Sequence, residues 1–336
     1  LLLLLCFLAI HIAHERTVAG ILAGKFDIAN MANNHIADYG SIPIMDTFKL
    51  LKKNRISFVG AGENLKKAQK VLTKTCKGRK LSFLSFAENE FCCADKESAG
   101  AWPLDVCENA RLIRKAADTS DITIVLIHGG NEYNPVPSPR MISTYRFFAE
   151  AGADAVIGTH PHVPQGHEVY NGIPIIYSIG NFIFDDPDPY PMWSKSYLAR
   201  LTFRETKPVK IDIIPFEAEE KTGYVQLIKG DEKKDFIRYI RYLSALISKP
   251  EESGKYWDGW CALMGPGWLR RLNGAVYPFS SSEEKQTFLK VRNQLMCEAH
   301  HELLSTYMEL IRNNKLTKAR AYIPKVKQLM KGEIPK

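Results

Sequence analysis

Two histidines one residue apart, in Gly158-Thr159-His160-Pro161-His162, follow the apolar run Ala153-Asp154-Ala155-Val156-Ile157. The run reads as a short buried strand, so both imidazoles emerge where a strand ends and the chain turns. Along an extended segment residues i and i+2 point the same way, which predicts that His160 and His162 face one point. Three other stretches repeat the pattern of strand and then polar turn: Asn33-Asn34-His35, His128-Gly129-Gly130-Asn131-Glu132 and Tyr177-Ser178-Ile179-Gly180-Asn181-Phe182. Together they suggest a divalent-metal site. Asn34, His128, His160 and His162 can supply neutral ligands, with His35 kept as a proton donor. Imidazole and amide donors suit Zn²⁺, Mn²⁺ or Fe²⁺. A hydrolytic site of this kind also needs carboxylates to offset charge and to bridge paired metals. Glu132, Glu168 and Asp185 are the candidates, and Asn33 and Asn181 stand beside the ligands as supporting polar groups.

The elements that must position these residues alternate between strand and helix. Phe26 to Ala32, Ile56 to Val59, Ala68 to Thr75 and Lys80 to Phe86 read as strands. Ile122 to Ile127 is an unbroken β-branched run of the sort buried on both faces. Ile44, Phe48 and Leu51 mark a helix at i, i+4 and i+7, and Asn109 to Ala117 and Ser138 to Ala151 mark two more. Asn171-Gly172 predicts a hairpin turn between His167–Tyr170 and Pro174–Tyr177. Leu198 to Phe203 and Val209 to Pro215 read as the closing edge of a sheet. Beyond them the chain turns helical. Asp231 is the expected N-cap of a helix carrying Phe236, Ile240, Leu243 and Ile247. Tyr256 to Phe279, with three tryptophans among glycines and prolines, reads as an irregular connector. Ser282 should open a long helix with Phe288, Val291, Leu295, Ala299 and Leu303 on one face. The expected fold is an α/β layered core with a C-terminal helical extension, its polar turns at the strand ends where open α/β sheets place their sites.

Length and composition allow one sizeable core and a smaller one: 336 residues, 45% hydrophobic. The formal charge of +8 suits an anionic partner without naming it. Seven cysteines, without metal-knuckle spacing, read as free thiols in a reducing, cytoplasmic compartment. Leu1 to Ile10 is apolar but shorter than the roughly 20 residues a spanning helix needs. The basic segment Arg312 to Lys331 contains no acid and one aromatic, Tyr322, which argues against nucleic acid as a partner.

From about Val18 to Pro215 the sequence resembles the CapA domain family of capsule and poly-γ-glutamate synthesis proteins. The resemblance rests on Ala32-Asn33-Asn34-His35 with Asp38-Tyr39-Gly40, then Gly60-Ala61-Gly62 and His128-Gly129-Gly130-Asn131-Glu132-Tyr133. It continues in Ala151-Gly152-Ala153-Asp154, in Gly158 to Gln165, and from Tyr177 to Asp185. Cys297-Glu298-Ala299-His300-His301-Glu302 looks like a helical tail carried by some members. The resemblance implies a layered core similar to the calcineurin-like metallophosphoesterases over residues 18–215, an unassigned start over 1–17 and a helical extension over 216–336. It implies Asn34, His128, His160 and His162 as ligands of a divalent ion (Mn, Zn, Fe or Mg), and His35 as the residue that protonates a leaving group or steadies the transition state. It implies an anionic small-molecule or polymer substrate, a membrane-associated capsule synthesis complex as partner, and a place at the cell envelope.

The family's pattern opens with a strand ending in Gly-Asp and a segment containing Asn-Leu-Glu, neither of which occurs here. Asp27 begins its strand and faces the wrong end. The expectation is therefore a chain lacking at least one strand and the bridging acid, with a histidine-only half-site of impaired activity. Two functions follow from these readings: a metal-dependent hydrolase of capsule or polyglutamate metabolism, and a non-catalytic polymer-handling or scaffolding subunit of an envelope assembly, suggested by the basic terminal segment.

Overall fold

The computed structural model describes residues 2–5, 20, 22–183, 190–219, 224–274 and 277–336. Leu2–Leu5 forms β1 and Ile28–Asn30 forms β2. Helix α1 (Ser41–Lys53) buries Ile44, Phe48 and Leu51, the predicted stripe, and carries Lys52 and Lys53 in its last turn, where cations complement the exposed carbonyls. β3 (Ser57–Val59) pairs in parallel with β2. β4 (Ala61–Gly62) and one helical turn, α2 (Leu65–Ala68), precede β5 (Leu72–Cys76). The strand expected from Ala68 therefore starts later, because the Asn64 side chain accepts from the Lys67 N–H and caps a helical turn. β6 (Arg79–Ala87) and β7 (Gly100–Ala101) follow.

Helix α3 (Val106–Ala117) is capped by Asp105, and α4 (Pro139–Glu150) by Ser138 with Pro139 in its first turn. Between them lies β8 (Ile122–His128), and after them come β9 (Ala155–Thr159), β10 (His167–Tyr170) and β11 (Ile173–Ile176). Asn171 and Gly172 take φ of 50° and 83°, as the predicted hairpin turn requires. These strands form a six-stranded sheet in the order β10-β11-β9-β8-β6-β5, in which β6, β8 and β9 run parallel. Its two faces are both covered. Leu84, Phe86, Val125, Ile127 and Val156 pack with residues of α3 and α4. Leu81, Phe83, Ile122, Ile124 and Ile157 belong to the larger core beneath the remaining elements.

β12 (Lys195–Arg204), β13 (Lys207–Ala218) and β14 (Val225–Leu227) join β1 in a separate sheet of order β1-β12-β13-β14. The predicted pair is thus the middle of a second sheet and not the edge of the first. The leucine run supplies that sheet's outer strand, with Leu2 opposite Thr202 and Leu5 opposite Ala199.

The C-terminal helices are α5 (Gly230–Ile247), α6 (Pro250–Arg271), α7 (Ser282–Met296), α8 (Glu298–Arg312), α9 (Leu316–Arg320) and α10 (Ile323–Met330). Three expectations are corrected here. Lys229, not Asp231, is the N-cap of α5, and Asp231 sits in the first turn, where its charge meets the helix N-terminus. The tryptophan-rich segment is helical as far as Arg271, with Trp257 and Trp260 buried and Pro266 inside the helix. The long helix from Ser282 breaks at Cys297, whose φ of −73° and ψ of 128° are extended. Leu295 consequently lies 54% exposed while Ala299 and Leu303 are buried.

Candidate metal centre

Register brings the site together. Ala87 stands opposite His128 on the β6–β8 ladder, and His128 stands opposite Thr159 on the β8–β9 ladder. Glu88, Gly129 and His160 therefore leave one edge of the sheet side by side, at the carboxyl ends of parallel strands. His128 is fixed at Nδ1 by Thr159 Oγ1 (3.2 Å), and its Nε2 lies 2.9 Å from Asn34 Oδ1 and 3.1 Å from His160 Nδ1. Asn34 arrives from the turn after β2. That turn is tied to the main sheet by Asn30 Oδ1, which accepts from Ser85 Oγ at 2.6 Å and from the Ala32 N–H at 3.0 Å.

His160 and His162 do converge, but not by strand alternation. β9 ends at Thr159, and both histidines then take left-handed backbone, with φ of 99° and 60°. The turn, not the pleat, aims them. The Pro161 carbonyl between them accepts from the Tyr133 N–H (2.8 Å). His162 Nδ1 is 2.7 Å from Asn181 Oδ1, while the Asn181 amide donates to the His162 and Trp193 carbonyls. One ligand atom each from Glu132, His160 and His162 lie within 4.8 Å of one another. Glu132 is exposed as a residue, yet burial around its carboxylate, followed by the charge of Glu90, pushes its acid up to about 7 against the opposing pull of His35.

His35 lies one residue beyond Asn34, its Nδ1 2.7 Å from Asp38 Oδ2 and its side chain 33% exposed. Asn33 organises this turn: its Oδ1 accepts from the His35 N–H (3.0 Å), and its amide donates to the Met31 carbonyl (3.3 Å). Glu168 is not part of the cluster. It accepts from Arg146 Nε and Nη2, at 2.9 and 2.7 Å, and from the Tyr177 hydroxyl at 2.6 Å, and so ties α4 to the hairpin. Asp185 lies outside the described residues.

Sequence reasoning gave Glu88 and Glu90 no site role and read the start of α8 only as a helical tail. Glu90 Oε1 is 3.7 Å from His160 Nε2, so the histidines have carboxylates from Glu132 and Glu90 beside them. Glu88 is buried beneath the cluster. Burial works against its charge, but Arg140 at 2.5 Å, the Gly130 N–H and His160 together hold its acid below the ordinary value. Gly129 has to lack a side chain, because a Cβ there would meet the Glu88 carboxyl carbon at 2.6 Å. Helix α8 closes over this edge. Glu298 accepts from the Asn89 N–H (2.9 Å) and side-chain amide (2.5 Å), Glu302 accepts from Ser138 and Arg140, and the Ala299 carbonyl accepts from Asn131. The signals were visible as Glu88-Asn89-Glu90 and Cys297-Glu298-Ala299-His300-His301-Glu302, but nothing local connects them.

The donors at this edge are imidazole nitrogens and an amide oxygen, all buried, with carboxylates beside them, drawn from separate strand ends, which is the composition divalent transition ions take. Among the described residues no helix is long and apolar enough to cross a membrane, and the six cysteines there are free.

The family model described as "Bacterial capsule synthesis protein PGA_cap" matches residues 9–186. The capsule biosynthesis protein CapA of Bacillus anthracis is 34% identical over 217 residues, covering 62% of this chain and 52% of that protein. The PGA biosynthesis protein CapA of Bacillus subtilis is 31% identical over 241 residues, covering 70% and 60%. A probable polyglutamine synthesis accessory protein of Mycobacterium tuberculosis is 29% identical over 185 residues, covering 51% and 49%. The chain spans between 49% and 60% of the length of these relatives.

Proposed function

Because the chain belongs to the bacterial capsule synthesis protein family PGA_cap, we propose that its layered domain is a metal-dependent, metallophosphoesterase-like hydrolase of capsule or poly-γ-glutamate metabolism. The observation that carries this reading is the convergence of Glu132, His160 and His162 within 4.8 Å of one another, with His160 bonded to His128 and His128 in turn to Asn34. Asn34, His128, His160, His162 and Glu132 are the residues that would hold the cation. A divalent ion there supplies Lewis-acid polarisation to a phosphoryl or acyl centre. The remaining chemistry belongs to the chain. His35, steadied by Asp38, protonates the leaving group, and Asn33 keeps the turn that presents it. Asn181 and Thr159 orient the rings of His162 and His128, as partners behind metal ligands do. The substrate is anionic, in keeping with the net charge of +8, and the expected partner is a membrane-associated capsule synthesis complex. The names of the two CapA relatives support the setting.

The test joins metal content to turnover. Wild type and His160→Ala are assayed with Mn²⁺ on phosphomonoesters, phosphodiesters and γ-glutamyl peptides. The variant is expected to lose bound metal and turnover on whichever class reacts, and Asn181→Ala to weaken metal affinity about 10–100-fold. Equal turnover by His160→Ala would remove this site from the mechanism.

A further inference from the structure

At the break between α7 and α8 a thiol and an imidazole meet the loop that follows β6. Ligand atoms of Glu90, Cys297 and His300 lie within 4.8 Å of one another. We infer that these three residues form a second cation site, selective for a thiophilic divalent ion such as Zn²⁺ and adjoining the histidine cluster through Glu90. Cys297 and His300 lie well beyond residue 186, where the family match ends.

The chemistry of the donors points to this class of ion. Thiolate, imidazole and carboxylate are the three ligand types Zn²⁺ takes, at bonds of about 2.0–2.3 Å, and three protein ligands leave a position open. Tetrahedral ligand atoms at such bonds stand roughly 3.3–3.8 Å apart, so the observed spacing needs only a small closure. Cys297 is fully buried (0% exposed), and its Sγ lies 3.7 Å from Glu88 Oε2. The His300 ring is packed against Trp268, with centroids 4.5 Å apart.

A second observation is independent of the cluster's composition. His300 Nδ1 is a buried nitrogen without a hydrogen-bond partner, and in the last turn of α7 both amide atoms of Gln294, a residue 3% exposed, also lack one. Buried polar groups are normally satisfied, so the junction holds more polar atoms than its own packing accounts for. Two more carboxylates adjoin the thiol within ligand spacing, Glu88, which is held by Arg140, and Glu298, which is held by Asn89. Glu90 is the one that reaches both ways: Oε2 accepts from Asn293 beside the thiol, while Oε1 faces His160. Binding releases the Cys297 thiol proton to solvent as the sulfur–metal bond forms.

The full chain loaded with Co²⁺ tests the site without reference to activity. Wild type is expected to show a near-ultraviolet thiolate-to-cobalt charge-transfer band. The band should persist in His162→Ala and in the Cys92→Ser/Cys93→Ser double variant, and vanish in Cys297→Ser. Zinc content should fall by one equivalent in Cys297→Ser and in His300→Ala. Absence of the band in wild type overturns the proposal and depends on no variant folding. Survival of the band in Cys297→Ser overturns it as well. Loss of the band in His162→Ala would assign the thiol to the ion of the histidine cluster and defeat a separate site. If instead the band behaves as expected while His160→Ala retains turnover, the hydrolase reading fails and this site stands.

Discussion

His167 is a histidine the candidate centre does not use. Burial lowers its pKa below the ordinary value of 6.5, and its Nδ1 sits 3.3 Å from Ser244 Oγ. The folded chain therefore prefers this ring neutral. Its contribution to stability is complete above about 6.5, where the unfolded ring is also neutral, and drains away as pH falls through that value and then through the lower folded one. Urea titrations between pH 8 and the acid side should show His167→Asn losing less stability than wild type over that window; parallel curves would dismiss the effect. At this scale the sequence was informative where chemistry is rare and silent where it is common. The His160–His162 pair was legible because two histidines at one strand end are unusual, although the left-handed turn that aims them was not. Glu168 and Glu132 look alike in sequence. Only the distant Arg146 separates a hairpin staple from a cluster carboxylate.

Helix α6 shows why whole elements were misread. Glycines and a proline, Pro266, between the tryptophans signalled an interrupted segment, since both residue types weaken helices intrinsically. Tertiary packing reverses that reading. A Cβ at Gly265 would lie 2.2 Å from the Tyr307 ring of α8, and one at Gly259 would lie 2.7 Å from Tyr322. The glycines are where neighbouring chain comes close enough to compensate for the lost propensity. Gly265→Ala should therefore destabilise by about 1–3 kcal/mol through overpacking, read as a lower urea midpoint. A midpoint at or above wild type would show that α8 yields freely there. The strands β6, β8 and β9 were legible for the opposite reason, because runs such as Ile122–Ile127 state their own burial. The break at Cys297 left no comparable mark.

At the scale of the molecule a guanidinium is one of the polar links that join the layered core to the helical extension. Arg140, on α4, reaches Glu88 after β6 and Glu302 on α8, and the Glu88 side chain is only 3% exposed. Removing one partner of a buried pair costs about 3–5 kcal/mol, because the remaining charge is stranded. Arg140→Ala should thus lower global stability by about that amount. It should also raise hydrogen exchange in residues 297–312 before strand Ile122–His128 is affected. Uniform exchange across both regions would show that Arg140 does not hold the extension in place. The docking of the extension was illegible in the sequence because its partners are far apart along the chain: Phe236, Trp260 and Leu303 share one apolar core with Leu81 and Ile122, and the polar links to Glu88 and Asn89 are equally long-range.

That separation also orders events in time. The bonds from Asn89 to Glu298 join residues 209 apart. Closing so long a span is entropically costly, and folds built on non-local pairing form slowly. During synthesis from the N-terminus, strands β6, β8 and β9 are all available well before α8 exists. The histidine turn can take shape while the wall that carries Cys297 and His300 is still to be made. A cation captured early in the life of the chain meets the imidazoles of the histidine cluster before it can meet Cys297.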